Sequence, residues 1–408
     1  MNNSVERLIR YCRIDTQSDP KSGTHPSTAK QFDLANLLVK ELLELGLRDA
    51  SVDEHCYVYA HLPSNLDHPA KTVGFIAHMD TAPDYSGTGV EPCIIENYDG
   101  NDIVHSNGLV TRMKDFPYMR SLTGKTLVVT DGNTLLGADD KAGITAIMET
   151  LVYYRDNPDE PHGNIAVAFT PDEEIGQGSM FFDVTKMNAD FAYTVDGDDV
   201  ACYSDETFNA CSAEVTVKGR AIHPGEAKNK QKNAALIAAR YAALLPEYLI
   251  PAHTEGREGF IHLGSIHGDM SKAGMEYILR DHDSDKLEGY RKLMRDAALF
   301  LNEQYGEGTI SVTFEDTYRN MKDVLKDYPE VSALAEQAIR KAGYEPREVA
   351  VRGGTDGSNI SFMGLPCPNL GDGGGNFHGP HEYCVAEELD DASRIIRFIV
   401  SMTAEEPV

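Results

Sequence analysis

Two adjacent acids, Asp139 and Asp140, stand in TDGNTLLGADDKAG, residues 130–143, and the flanking residues decide what such a pair can do. Upstream, Leu127, Val128 and Val129 make a short apolar run that predicts a buried strand; downstream, Ile144, Ile147, Met148, Leu151 and Val152 recur at helical spacing. The pair is therefore expected at a strand-to-helix junction, which in an open α/β sheet lies at the carboxyl ends of the strands, where ligands bind. A carboxylate at that place can equally cap the helix. Similar residues at equivalent places would favour a metal site over a cap, and they occur. TVGFIA (72–77) runs into His78-Met79-Asp80, NIAVAFT (164–170) into Pro171-Asp172-Glu173-Glu174, and FAYTV (191–195) into Asp196-Gly197.

The late segment NFHGPHEY adds His378 and His381. Imidazole with carboxylate is a ligand set for zinc, or for manganese and cobalt, and the absence of cysteine from it argues against a purely structural zinc. One ion needs three protein ligands and an open position, so these residues suffice for two ions about 3.5 to 4 Å apart with a bridging carboxylate. Neighbours in extended chain point to opposite sides. One of Glu173 and Glu174 can therefore ligate while the other takes a proton from water and passes it to a leaving amine. His78 and Asp80, two apart, point the same way, as a ligand and its orienting group would.

The elements that must hold these residues are legible around them. Helices are predicted from Val5, Leu8, Ile9 and Cys12, and from Leu34, Leu37, Leu38, Leu42 and Leu45, the second ended by Gly46. Residues 83–124, rich in Gly, Asp, Asn and Pro and without a period, read as an excursion over the surface. After Phe208 the grammar changes: strand 213–219, helix 229–246, strands 259–269 and 274–283, a helix 284–305 capped by Ser284, and strand 309–315. This βαββαβ order is ferredoxin-like. A helix over 328–343, a strand over 348–352 and a final helix over 387–405 follow. The expected fold class is α/β, a mixed-sheet catalytic domain (1–207 and 321–408) with an inserted small domain of lid or dimerisation type (208–320).

A chain of 408 residues can bury two cores. Its net charge of −28 repels phosphate backbones and anionic lipid, so neither nucleic acid nor a membrane surface is an expected partner. Seven cysteines with no CxxC pair argue against a disulfide framework and point to a reducing, cytoplasmic setting. Charges near the N-terminus stand where a secretory signal would need its apolar core, and no run approaches the about 18 apolar residues of a membrane span.

HMDT at 78–81, GADDKAG at 137–143, TPDEEIG at 170–176, VDG at 195–197 and HGPHE at 378–382 resemble the di-zinc aminopeptidase, carboxypeptidase and deacylase superfamily. The similarity runs end to end, and RGGTDG at 352–357 with GLPCPNL at 364–370 resembles its tripeptide-aminopeptidase neighbourhood in particular. The resemblance implies a di-zinc peptidase in which Asp139, within the pattern D-x-K-x-G, bridges two Zn2+ and is joined to Asp140 by a cis peptide. His78 and Asp196 would hold one ion, and Glu174 and His378 the other, with His381 the rival to His378. Glu173 would be the general base, and Asp80 would orient His78.

In the small domain, His223, Asn233 and Arg280 resemble the family's oxyanion-stabilising and substrate-clamping residues. Arg352 is a second candidate for the peptide carboxylate, and an ordinary ion pair with Asp281 or Asp283 is the competing reading of Arg280. The implied activity is release of the N-terminal residue from tripeptides. A dipeptidase, an N-acyl amino acid deacylase or a carboxypeptidase would share the site, whereas a non-catalytic peptide binder would have to lose Glu173 or a ligand. Some relatives pair through the small domain, so a homodimer is among the expected forms.

Overall fold

The computed structural model describes residues 3–405. The chain divides into two compact units, one running to Asp205 and resuming over Val324–Val349 and from Thr355, the other comprising Glu206–Asp323 and Ala350–Gly354. The larger unit is built on an eight-stranded sheet. Its order is Ser51–Val52, Val58–Leu62, Ile165–Thr170, Val73–His78, Phe191–Val195, Asn369–Leu370, Cys202–Thr207 and Arg347–Val351. The strands from Ile165–Thr170 to Asn369–Leu370 are parallel, and the neighbours that flank them are antiparallel, so the sheet is mixed.

Val73–His78, Ile165–Thr170 and Phe191–Val195 are buried along their whole length, which is why their sequences are continuous apolar runs rather than alternating ones. On one side Phe75, Phe169 and Tyr193 meet Leu34 and Leu38 of helix Gln31–Glu44, Ile144, Ile147 and Leu151 of helix Ala138–Asp156, and Ile396 and Ile399 of helix Ala386–Glu405. Each such side chain contributes about 1.5–3 kcal/mol through its burial. Ile76, Ala168 and Ala192 form a second cluster with Ile360, Leu365 and Cys367.

Two sequence expectations need correction here. The strand before the acid pair, Leu127–Thr130, does not belong to the main sheet; it pairs with Pro92–Ile95 and Tyr383–Val385 in a separate four-stranded antiparallel sheet completed by Gly374–Gly375. Residues 83–124 are likewise more than a surface excursion. They hold Pro92–Ile95, the pair Ile103–Val104 and Val110–Thr111, and a 3-10 turn at Pro117–Leu122. Tyr98, Ile103, Met113 and Met119 close a small core there against Leu127, Val129, Tyr383 and Val385. Strands of two to four residues are too short to show a period.

The smaller unit is a four-stranded antiparallel sheet in the order Phe260–Gly268, Lys272–Asp281, Asn209–Lys218 and Ile310–Tyr318, with helices Ala234–Leu244 and Ser284–Tyr305 in the ferredoxin-like βαββαβ sequence. Val215, Met275 and Leu279 of the sheet pack with Tyr241, Met294 and Leu301 of the helices. The first helix starts later than its apolar pattern suggests because Asn233 caps it, and the second is capped by Asp283 rather than Ser284. Ala350–Gly354 belongs with this unit, where the sequence reading had kept it in the catalytic domain.

Candidate active site and metal centre

Ends of the buried strands converge with the acid pair. Ligand atoms of His78, Asp139 and Glu174 lie within 4.8 Å of one another, as do those of His78, Glu173 and Asp196. His78 closes strand Val73–His78, the two glutamates open a 3-10 turn after Ile165–Thr170, and Asp196 follows Phe191–Val195.

The acid pair divides the two roles that the sequence left open. Asp140 caps: its Oδ1 accepts the Gly143 N–H at 3.1 Å, and its Oδ2 accepts the His78 N–H at 3.0 Å. Asp139 faces the histidines, with Oδ1 at 2.8 Å from His78 Nε2 and Oδ2 at 3.2 Å from His378 Nε2. The Asp139–Asp140 peptide is cis. Close packing sets the helix in place, since a Cβ on Gly143 would come within 1.8 Å of the Val195 carbonyl oxygen. Glycine at 143 therefore lets the helix carrying the acid pair lie against the strand that ends in Asp196.

Asp80 is buried and organises three neighbours. Its Oδ1 accepts the Glu173 N–H at 2.9 Å and its Oδ2 the Glu174 N–H at 3.2 Å. His78 Nδ1 lies 3.0 Å from the Asp80 carbonyl oxygen and 3.4 Å from Oδ1. With the Nδ1 proton held there, the Nε2 lone pair is left aimed at the cluster. His78 Nε2 is 4.0 Å from Asp196 Oδ1. His378, which sits in the left-handed region at φ 63°, brings its Nε2 to 3.0 Å from Glu174 Oε2. His381 lies elsewhere, its Nδ1 2.7 Å from Thr111 Oγ1 and its ring against Phe116. The cluster thus holds His378 and leaves His381 outside.

Crowded acids in a dry site resist ionisation. Burial, reinforced by Asp139, pushes Glu174 up to about 8, and burial with Asp139 pushes Asp196 up to about 6. Burial and Asp196 raise Glu173 well above the usual carboxylate range. Hydrogen bonds donated to Asp139 and Glu174 lift His378 to about 11. Glu174 Oε1 is buried without a hydrogen-bond partner. An unpaired carboxyl oxygen buried among other acids is an arrangement that a cation relieves, and oxygen and nitrogen donors of this kind fit zinc or manganese. The residues present fit a metal centre.

Acids outside the expected set support it. Asp172, in the left-handed region at φ 58°, accepts the Ser27 N–H at 2.6 Å and Gln31 Nε2 at 2.6 Å, which ties the turn bearing Glu173 to the start of helix Gln31–Glu44. Asp356 accepts the Thr170 hydroxyl at 2.7 Å beneath the strand end, and burial lifts it to about 7. Glu382 takes backbone N–H groups from the approach to Asp139. Their partners include backbone amides, the Gln31 amide, the hydroxyls of Ser27 and Thr170 and the His25 imidazole, all far away in sequence or outside any motif, so no spacing announces them.

All four substrate-binding candidates lie in the smaller unit. His223 is exposed, and its Nδ1 accepts the Gly225 N–H at 3.2 Å. Asn233 Oδ1 caps its helix through the Leu236 N–H at 3.1 Å. Arg280 Nη1 donates to the carbonyls of Leu279 at 2.9 Å and Cys211 at 3.3 Å, over the ring of Tyr318. Arg352 is engaged more fully. Nη1 donates to the carbonyls of Glu258 and Gly256 at 2.6 and 2.8 Å, Nη2 to Thr254 Oγ1 at 3.0 Å, and the guanidinium lies against Phe208 and Phe260.

Residues 128–402 match the model of peptidase family M20/M25/M40. The peptidase T of Alkaliphilus oremlandii is 49% identical, over 98% of this chain and 99% of its own. Among solved structures, an aminopeptidase PepT from Bacillus cereus superposes with a TM-score of 0.78 at 22% identity, covering 98% of each chain. A tripeptidase from Staphylococcus aureus does so with a TM-score of 0.78 at 23% identity, over 99% of this chain and 98% of that one. The chain therefore belongs to peptidase family M20/M25/M40, and within it to the peptidase T group.

Proposed function

We propose that this chain is a metal-dependent aminopeptidase that releases the N-terminal residue of tripeptides, with two zinc ions at the cluster. The observation that carries the reading is Asp139, whose Oδ1 faces His78 and whose Oδ2 faces His378, while Glu173 stands beside the same imidazole as Asp196. His78, Asp139 and Asp196 would hold one ion, and Asp139, Glu174 and His378 the other; manganese or cobalt could substitute. When bound, the ions supply a Lewis acid for the scissile carbonyl and lower the pKa of water at the site.

The chain's own residues do the rest. Glu173, its amide fixed by Asp80, takes the proton of the attacking water and delivers it to the departing amine. Its raised pKa suits a group that must hold that proton between the two steps. In the small unit, His223 would donate to the developing oxyanion, and Asn233 and Arg280 would hold the substrate. Arg352, bonded to Thr254, Gly256 and Glu258 of the segment that leads into strand Phe260–Gly268, would have to exchange those bonds for a carboxylate. We read the setting as cytoplasmic and the partners as free peptides, with a homodimer as the assembly and neither nucleic acid nor membrane involved. The net charge of −28 supports that choice, and among the described residues no helix is long and apolar enough to cross a membrane.

The test is a substrate panel run after chelation, with and without added zinc: a tripeptide, the matching dipeptide and tetrapeptide, and the N-acetylated tripeptide. Cleavage of the free tripeptide alone, from its N-terminus and only with metal, is the expected result. Preference for the acetylated peptide or the dipeptide would keep the site chemistry and overturn the tripeptidase reading.

A further inference from the structure

Glu382 is a buried carboxylate, 1% exposed, that the chemistry above does not use. Its Oε2 accepts the N–H groups of Leu136 at 2.7 Å and Gly137 at 2.9 Å, and its Oε1 accepts the N–H of Asp139 itself at 3.1 Å. Gly137 sits in the left-handed region at φ 78°, so successive N–H groups converge on one anion as in a backbone nest. The same residue is four positions beyond His378. The loop between them is braced by the Glu382 N–H to the Gly379 carbonyl at 3.2 Å and by Asn376 Nδ2 to the His381 carbonyl at 3.1 Å. Beyond Glu382, strand Tyr383–Val385 pairs with Leu127–Thr130, the strand that leads toward Asp139.

One carboxylate therefore joins the backbone on both sides of the cluster, although Asp139 and Glu382 are 243 residues apart in sequence. We infer that Glu382 is a positioning residue that locks Asp139 to the His378 loop and so fixes the separation of the ligands of the second ion. The inference rests on the two-ion reading of the cluster. The acceptor must be a carboxylate on both oxygens: a glutamine would turn an N–H donor toward at least one of the captured amides and release one side of the clamp.

Zinc binding tests this on the intact protein, by competition against a chromophoric chelator for the wild type, Glu382→Gln and Glu382→Asp, with circular dichroism to confirm folding. The wild type is expected to bind two equivalents. In E382Q the weaker equivalent should lose ten- to a hundred-fold in affinity, the size seen when groups that orient metal ligands are removed, while the tighter one changes little. Activity of E382Q at saturating zinc should recover relative to stoichiometric zinc. E382D, which keeps the charge on a shorter arm, should fall between. Wild-type affinity for both ions in folded E382Q overturns the inference, as does unchanged affinity in E382D should E382Q fail to fold. A wild type that binds no zinc overturns the metal reading itself, which separates the two failures.

Discussion

The carboxylate of Asp80 accepts the backbone N–H of Glu173 at 2.9 Å while its carbonyl holds Nδ1 of His78 at 3.0 Å, so one residue sets both a proposed ligand and the proposed base. Asp80→Asn keeps the shape but turns an N–H donor toward one of the amides it now accepts. The expected outcome is a ten- to hundred-fold loss in zinc affinity together with a fall in kcat that added zinc only partly restores. Zinc titration and steady-state kinetics on one preparation check both halves.

Glu173→Gln removes the group proposed to carry the proton and leaves the ligand cluster of His78, Asp139 and Glu174 in place. Turnover of a tripeptide should drop about 10²- to 10⁴-fold. Metal content, measured by atomic emission, should stay at the wild-type value. Loss of metal along with activity would reverse the assignment of Glu173 and Glu174.

The two proposed ion positions differ in access. His78 has 2% of its side chain exposed and His378 has 45%, so solvent and chelators reach the His378 side first. Stepwise chelation should remove one equivalent readily and the other slowly. His378→Ala should bind a single ion at close to the wild-type affinity of the tighter site.

The raised pKa values of the clustered acids predict how the stability of the metal-free protein depends on pH. Burial raises Asp196 to about 6, Asp356 and Glu382 to about 7 and Glu174 to about 8. A carboxyl whose folded pKa lies above its unfolded value near 4 contributes stability that is full below that value and is lost as pH rises through the folded pKa. Metal-free protein should therefore show a Tm that falls between pH 5 and 8. Added zinc should raise Tm more at pH 8 than at pH 5; a flat or rising profile of the chelated protein would count against the cluster being unrelieved.

Gly143→Ala introduces a Cβ 1.8 Å from the Val195 carbonyl oxygen. Helix Ala138–Asp156 cannot yield without moving the acid pair from Asp196. Destabilisation of about 3 kcal/mol in urea unfolding is expected, with weakened zinc binding beside it.

The clustered imidazole and carboxylates at the ends of Val73–His78, Ile165–Thr170 and Phe191–Val195 were readable because strands covered on both faces are continuous apolar runs, so the first polar residue after each run marks the sheet's carboxyl edge. The βαββαβ order was readable for a related reason: its longer strands and helices carry periods. What stayed hidden depends on distant partners. Nothing local in Leu127, Val128 and Val129 tells that Tyr383–Val385 will pair with them in a second sheet. Asp172, Asp356 and Glu382 look like ordinary acids until backbone amides and hydroxyls close around them. Arg352 reads as a free clamp until Thr254, Gly256 and Glu258, distant in sequence, engage it.

Strand Asn369–Leu370 lies between Phe191–Val195 and Cys202–Thr207, which are near neighbours in sequence. During synthesis that slot must wait for the whole smaller unit to leave the ribosome, and His378 emerges later still. Such long-range closure makes for slow folding, and it also means that a nascent or prematurely terminated chain has no complete peptidase site. On the proposed ligand set, hydrolytic competence waits for His378 to join strands made some two hundred residues earlier.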